Sequence, residues 1–247
     1  MPTYLAIALL GVLVGRGLNL VITAWPWEAP PLALAGRCPL CRVRLGRLPL
    51  WGHIWLKGRC PACQGAWGLR PLAVELISGV LALALWLKFP GSLLLLVYGP
   101  FAALLLTLAV IDWEHYQLPD VLTLGGAALG LALAAVMPHL QIWQAGLGAL
   151  AGAGAFWLLQ IAYRAIVKQE GREGLGGGDI KLMAGIGAFV GYKPLLGIVF
   201  MAALLASLAA LWGLISGRLA GSGGWRRQPL AFGTFLAAAA MLHVLRS

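Results

Sequence analysis

Acidic residues are what this chain has least of: 8 Asp and Glu stand against 18 Lys and Arg in 247 residues, and charged residues make up 11% of the total. Beside 61% hydrophobic residues and a mean hydropathy of +0.87, that scarcity excludes a soluble globular domain. The four histidines, His53, His115, His139 and His243, are scattered with no nucleophile signature nearby, which excludes a Ser–His–Asp hydrolase. No HExxH motif marks a metalloprotease, and the glycine-rich run lacks the Gly-Lys-Ser/Thr ending of a phosphate loop, which argues against nucleotide hydrolysis. The net charge of +10 is spread over short loops between apolar segments, so it reports membrane orientation and no nucleic-acid partner. No basic residues precede the apolar stretch from Leu5 to Gly15, and the pattern resumes after Arg16 through Trp25. It therefore reads as a retained first membrane helix instead of a signal-peptide core.

What the chain has in abundance is apolar runs, several of which reach the roughly 17–25 residues that cross a bilayer as helix. The expected fold is an all-α polytopic membrane protein of about eight transmembrane helices. They run Thr3–Ala24, Pro71–Leu87, Ser92–Ile111, Val121–Met137, Trp143–Ile166, Ile180–Val190, Leu195–Ser216 and Pro229–Leu245, the sixth being short. Pro26, Pro90, Pro119, Pro138, Gly217 and Pro229 punctuate the boundaries. The one long loop is Pro26 to Arg70, and no repeat is apparent. With eight crossings, the loops after the first, fifth and seventh helices share one side. All but four of the 18 basic residues (Arg16, Lys88, Lys193 and Arg246) lie on that side, which is therefore expected to face the cytoplasm with Asp112, Asp120 and Asp179.

The long loop carries all four cysteines, as Cys38-Pro39-Leu40-Cys41 and Cys60-Pro61-Ala62-Cys63. Two CxxC turns at that separation fit a four-thiolate zinc site, each turn supplying one edge of a tetrahedron. The closed shell leaves no position for substrate, so the metal would be structural. A pair of disulfides is the alternative, disfavoured by a reducing compartment. A loop this poor in apolar residues needs such a staple to hold itself together.

Two stretches hold the aspartates. In Ile111-Asp112-Trp113-Glu114-His115-Tyr116-Gln117-Leu118-Pro119-Asp120, Asp120 is placed to cap the next helix, and Glu114 and His115 read as solvated loop. Asp112 stands at a helix C-terminus, where the macrodipole disfavours a negative charge, so it answers to a function or to a partner such as Lys181. The second stretch is Gly174-Leu175-Gly176-Gly177-Gly178-Asp179-Ile180-Lys181. Here Asp179 is either a helix N-cap after a flexible turn or a functional carboxylate at the lip of an apolar segment. Two aspartates from different helices at one membrane face can share a proton across a water. The charged one takes a proton from the water that attacks a peptide carbonyl, and the neutral one donates to the carbonyl oxygen and then to the leaving nitrogen, because two close carboxylates cannot both ionise cheaply.

Together these motifs resemble the prepilin peptidases (type IV leader peptidases), bacterial inner-membrane aspartic proteases of the GxGD type, over nearly the whole chain. Ile111-Asp112 followed by Leu118-Pro119-Asp120 is similar to the family's first aspartate motif, and Gly174-Leu175-Gly176-Gly177-Gly178-Asp179-Ile180-Lys181-Leu182 to its second. The CxxC pairs, Leu56-Lys57-Gly58-Arg59, Pro71 with Val74-Glu75-Leu76, the Gly15 to Ile22 segment and Phe232-Gly233 carry the rest. The chain departs from the pattern at Arg16-Gly17, which replaces Ser-Phe, and at Thr234, which replaces proline. The resemblance implies a catalytic pair of Asp112 and Asp179, supported by the glycines, Lys181 and Asp120. It implies cleavage of type IV prepilins and type II secretion pseudopilins at the cytoplasmic face. Methylation of the new N-terminus with S-adenosylmethionine would follow, with Gly58 as a candidate contributor whose alternative is a tight turn before Cys60. The implied division is a first helix over 1–25, a cytoplasmic zinc-binding loop over 26–70 linked to methyl transfer, and a peptidase domain over 71–247. A peptidase without methyl transfer is the nearest alternative; a membrane transporter or assembly scaffold is a further one, which predicts more charge in mid-helix than Arg16 and Glu75 supply.

Overall fold

The computed structural model describes residues 2–27, 30–34, 37–38, 40–44, 59–66, 68–135, 140–166, 176–216 and 231–246. Gly58, Gly174 and Leu175 lie outside them. Among the described residues there are eight α-helices: α1 Pro2–Ala24, α2 Arg70–Lys88, α3 Leu94–His115, α4 Asp120–Ala134, α5 Ile142–Ile166, α6 Gly177–Val190, α7 Leu195–Ile215 and α8 Phe232–Arg246. The expected all-α membrane architecture is what the chain adopts. Five helices (α1, α2, α3, α5 and α7) are long and apolar enough to cross a membrane. The other three, of 15, 14 and 15 residues, measure about 21–23 Å at 1.5 Å per residue, short of the roughly 30 Å hydrocarbon core.

Two compact units divide the chain, Met1–Leu95 and Leu96–Ser247. In the first, α1 and α2 pack closely, because small residues at Gly11 and Gly79 remove the side chains that would hold them apart. The Arg70 guanidinium donates to Thr23 Oγ1 at 2.9 Å and ties the two helix ends that flank the cysteine segment.

The second unit is organised around α6, whose Leu182, Met183, Ile186, Ala188 and Phe189 are all buried. Gly187 lies directly against the backbone of Gly148 on α5, a contact that leaves no space for a Cβ on either. Phe189 stacks on Phe101 of α3 with ring centroids 4.2 Å apart. On α7 the large side chains point outward: Leu196, Phe200, Leu208, Leu211, Trp212 and Ile215 are exposed, as expected of a lipid-facing helix.

Helix ends differ from expectation where the chemistry lies. α3 runs one turn past Ile111, so Asp112 sits inside its last turn; α6 starts at Gly177, three residues early, so Asp179 sits inside its first turn. Asp120 is not an N-cap. Pro119 holds that position, no side chain caps the helix, and Asp120 is the first helical residue.

Candidate active site

Three helix ends in the second unit bring the acids together. Asp112 and Asp179 are both buried, at 6% and 8% exposure, although they come from separate helices. Gly233, in the first turn of α8, reports their spacing. A Cβ built on it would lie 2.9 Å from Asp112 Oδ2, 3.1 Å from Asp179 Oδ1 and 3.0 Å from Leu118 Cδ1. The two carboxylates therefore flank one small space that only an absent side chain leaves open.

The next residue explains how Asp112 tolerates its position. Its own helix dipole opposes the charge, but the N-terminus of α8 faces it. The Thr234 backbone N–H donates to Asp112 Oδ2 at 2.9 Å, and the Thr234 hydroxyl lies 3.3 Å from the same oxygen while donating to Ala109 O at 2.8 Å. A helix N-terminus favours an anion by presenting free N–H groups and a positive dipole end. Among the described residues no donor of this kind reaches Asp179, and the charged group that acts on it is Asp112.

Lys181 pairs with Asp120, Nζ to Oδ1 at 2.6 Å, and not with Asp112. That pair is largely exposed and ties α6 to α4 beside the site; exposed pairs add little stability, so its effect is positional. Gly176 is the N-cap of α6 and its carbonyl accepts from the Asp179 N–H at 3.0 Å. The sequence treats Gly177 and Gly178 alike, and the structure separates them. A Cβ on Gly178 would press on Leu118 Cβ at 2.8 Å, whereas one on Gly177 meets nothing within 4 Å. Leu118 is thus wedged between Gly178 and Gly233. Gly178→Ala should slow peptide cleavage by roughly tenfold through displacement of Leu118, and Gly177→Ala should leave the rate near wild type. Initial rates of both variants in reconstituted membranes check this.

In the first unit the four cysteines form one cluster. Their sulfurs all lie within 4.8 Å of one another, with Cys38–Cys63 at 4.0 Å and Cys41–Cys60 at 3.7 Å. All four are free thiols, and disulfide sulfurs would be about 2 Å apart. A tetrahedral zinc with bonds of about 2.3 Å puts its sulfurs roughly 3.8 Å apart, so the cluster fits such an ion. The two CxxC turns are built alike. Cys38 N–H donates to Val43 O and Arg42 N–H to Cys38 O; Cys60 N–H donates to Gly65 O and Gln64 N–H to Cys60 O. In each, the residue after the second cysteine takes a left-handed backbone, Arg42 at φ 59° and Gln64 at φ 55°. A backbone hydrogen bond at Val43 favours the Cys41 thiolate, but burial and the three other sulfurs outweigh it and push the thiol up to about 12. A divalent cation must therefore expel protons to bind. Uptake should be one ion per chain and should weaken steeply as pH falls, which titration with a chromophoric chelator measures.

Sequence reasoning named the two aspartates and the cysteines but missed what Gly233 and Thr234 do. The Phe232-Gly233 pair was the available signal. The model of the type IV leader peptidase family matches residues 100–211, and that of the bacterial peptidase A24 N-terminal domain matches residues 9–89. The chain is similar to proteins named prepilin leader peptidase/N-methyltransferase. That of Dickeya chrysanthemi is 37% identical over 94% of this chain and 89% of its own length. Those of Dichelobacter nodosus and Aeromonas salmonicida are 35% and 34% identical, over 87% and 84% of this chain and 72% and 70% of their own lengths. No solved structure matches.

Proposed function

The chain belongs to the type IV leader peptidase family, and from that premise we infer that it cuts the leader from prepilins and then N-methylates the new terminus. The observation that carries the peptidase reading is the placement of Asp112 and Asp179 on either side of the space above Gly233. Asp112, which accepts the Thr234 N–H, holds the negative charge. Asp179, beside that charge and without such donors, holds the proton the pair shares. Asp112 takes a proton from the attacking water as its oxygen bonds to the scissile carbonyl carbon. Asp179 protonates the carbonyl oxygen; the proton on Asp112 then passes to the leaving nitrogen as the C–N bond breaks, and one gem-diol hydroxyl returns its proton to Asp179 as the carbonyl re-forms.

The substrates are type IV prepilins and type II secretion pseudopilins, whose apolar helix rests in the bilayer and whose basic leader stays outside it. In this reading the enzyme sits in the bacterial inner membrane with both acids toward the cytoplasm, the side that carries most of the lysines and arginines. The cysteine cluster holds zinc and gives the loop its structure, so the N-terminal unit can serve methyl transfer. The methyl comes from S-adenosylmethionine, whose sulfonium supplies an electrophilic carbon to the amine.

Incubating the reconstituted chain with a prepilin and isotopically labelled methyl donor tests both activities together. Mass spectrometry should find the leader lost after a glycine and one methyl on the new terminus. An uncut prepilin would overturn the reading. A cut but unlabelled product would leave a peptidase alone.

A further inference from the structure

The N-terminal unit holds a polar cluster that neither the aspartates nor the cysteines use. Glu75 on α2 is 5% exposed and Asn19 on α1 is 8% exposed, each about a turn and a half from the helix end that adjoins the cysteine segment. Ionisable groups inside membrane helices are expensive, and they persist where they are matched by a partner or a ligand. Here α1 and α2 touch: a Cβ on Gly15 would lie 2.8 Å from the Glu75 Cα.

The Asn19 amide is held in one orientation. Its Nδ2 donates to the Pro71 carbonyl at 2.9 Å, and a carbonyl only accepts, so the amide cannot be turned over without losing that bond. The Asn19 Oδ1 is thereby left buried with no hydrogen-bond partner. Pro71 is one turn before Glu75 on the same helix, so the Asn19 amide sits against α2 within reach of the Glu75 carboxyl group. Arg16 is within electrostatic range of Glu75, but no salt bridge joins them among the described residues. A buried carboxyl group on α2 and an unmatched amide oxygen on the facing α1 call for a compact group with several N–H donors and a positive charge.

We propose that Asn19 and Glu75 form a binding site for a primary ammonium group at the contact between α1 and α2. The proposal rests on the methyl-transfer reading for the source of that group. Two molecules in the reaction carry one, the freshly cut pilin at its N-terminus and the methyl donor at its amino-acid end. Both offer the same chemistry to the same two acceptors.

The test measures binding, apart from turnover, on the full chain in lipid nanodiscs. Calorimetry follows S-adenosylhomocysteine and a pre-cleaved pilin peptide separately, against wild type, Asn19→Leu and Glu75→Gln. Both substitutions should weaken the same one of the two ligands by roughly tenfold or more. Removing the amine from that ligand, by N-acetylating the peptide or by using the deaminated analogue of S-adenosylhomocysteine that keeps its carboxylate, should weaken wild-type binding to a like degree and erase the difference between wild type and variants. Which ligand responds identifies the source. The proposal is overturned if wild type binds neither ligand. It is equally overturned if a variant whose thermal unfolding matches wild type binds both ligands unchanged. Glu75→Gln, which keeps the side chain's shape, carries the test where Asn19→Leu fails to fold. Methyl transfer is judged separately: a wild type that labels no pre-cleaved pilin refutes that reading, whatever the binding data give.

Discussion

Asparagine in place of either Asp112 or Asp179 will leave prepilin uncut. An asparagine at 112 can still accept the Thr234 N–H through its oxygen, so the contact seen at 2.9 Å survives while the ability to take a proton from water is lost. An asparagine at 179 cannot donate the proton that the carbonyl oxygen needs. General acid–base groups contribute on the order of 10²–10⁴ each, and members of a coupled pair fail together, so each change should lower cleavage by about 10³-fold or more. Both replaced acids belong to the second compact unit, and the N-terminal residues 9–89 match a separate family model, so methylation of pre-cleaved pilin should persist. Gel analysis of cleavage beside methyl incorporation measures both. Full processing by either variant would remove the two-acid mechanism.

The second large effect is expected at a residue with no chemistry of its own. Gly233→Ala places a methyl group where the acids face each other, at about van der Waals overlap with Asp112, Asp179 and Leu118 together. None of the three is a free-swinging end: Asp112 is held by Thr234, Asp179 lies in the first turn of α6, and Leu118 is already against Gly178. Overpacking of this kind costs about 1–3 kcal/mol in stability, which a membrane bundle absorbs. Its larger consequence is for rate, since displacing reacting groups by about 1 Å costs roughly 10²-fold. Gly197→Ala, at a position where a Cβ meets nothing within 4 Å, serves as the matched control and should cleave normally. Cleavage by the Gly233→Ala variant at the control's rate would mean that the space between the acids is not where the water reacts.

Much of this was legible beforehand because it is local. Apolar runs of bilayer length, the CxxC spacing and the aspartate after a glycine run are all properties of consecutive residues. The limits of that legibility are equally physical. Asp112 looked misplaced because its own helix dipole opposes it, and the compensating N-terminus belongs to Thr234, 122 residues away. The Phe232-Gly233 motif was noted as a match, but only the packing reveals that the glycine keeps two carboxylates apart from any side chain. Thr234 was noted as a departure from the family's proline, and the departure has content: a proline has no N–H to offer Asp112. Asp120 looked like a cap because it follows Pro119, yet the proline's fixed backbone starts the helix one residue sooner and frees the carboxylate for Lys181. Residues on either side of the cysteine segment, α1 and α2, pack together in the first unit. Helix partnership is decided by which small residues face each other, and no single stretch records that.

The three helices that carry Asp120, Asp179 and Gly233 at their starts are also the three too short for an ordinary bilayer. Lipid around them must thin, or water must follow them inward, to meet their ends. The catalyst is then sensitive to acyl-chain length, working best where the surrounding leaflet is shallow and slowing as the lipid tails are lengthened.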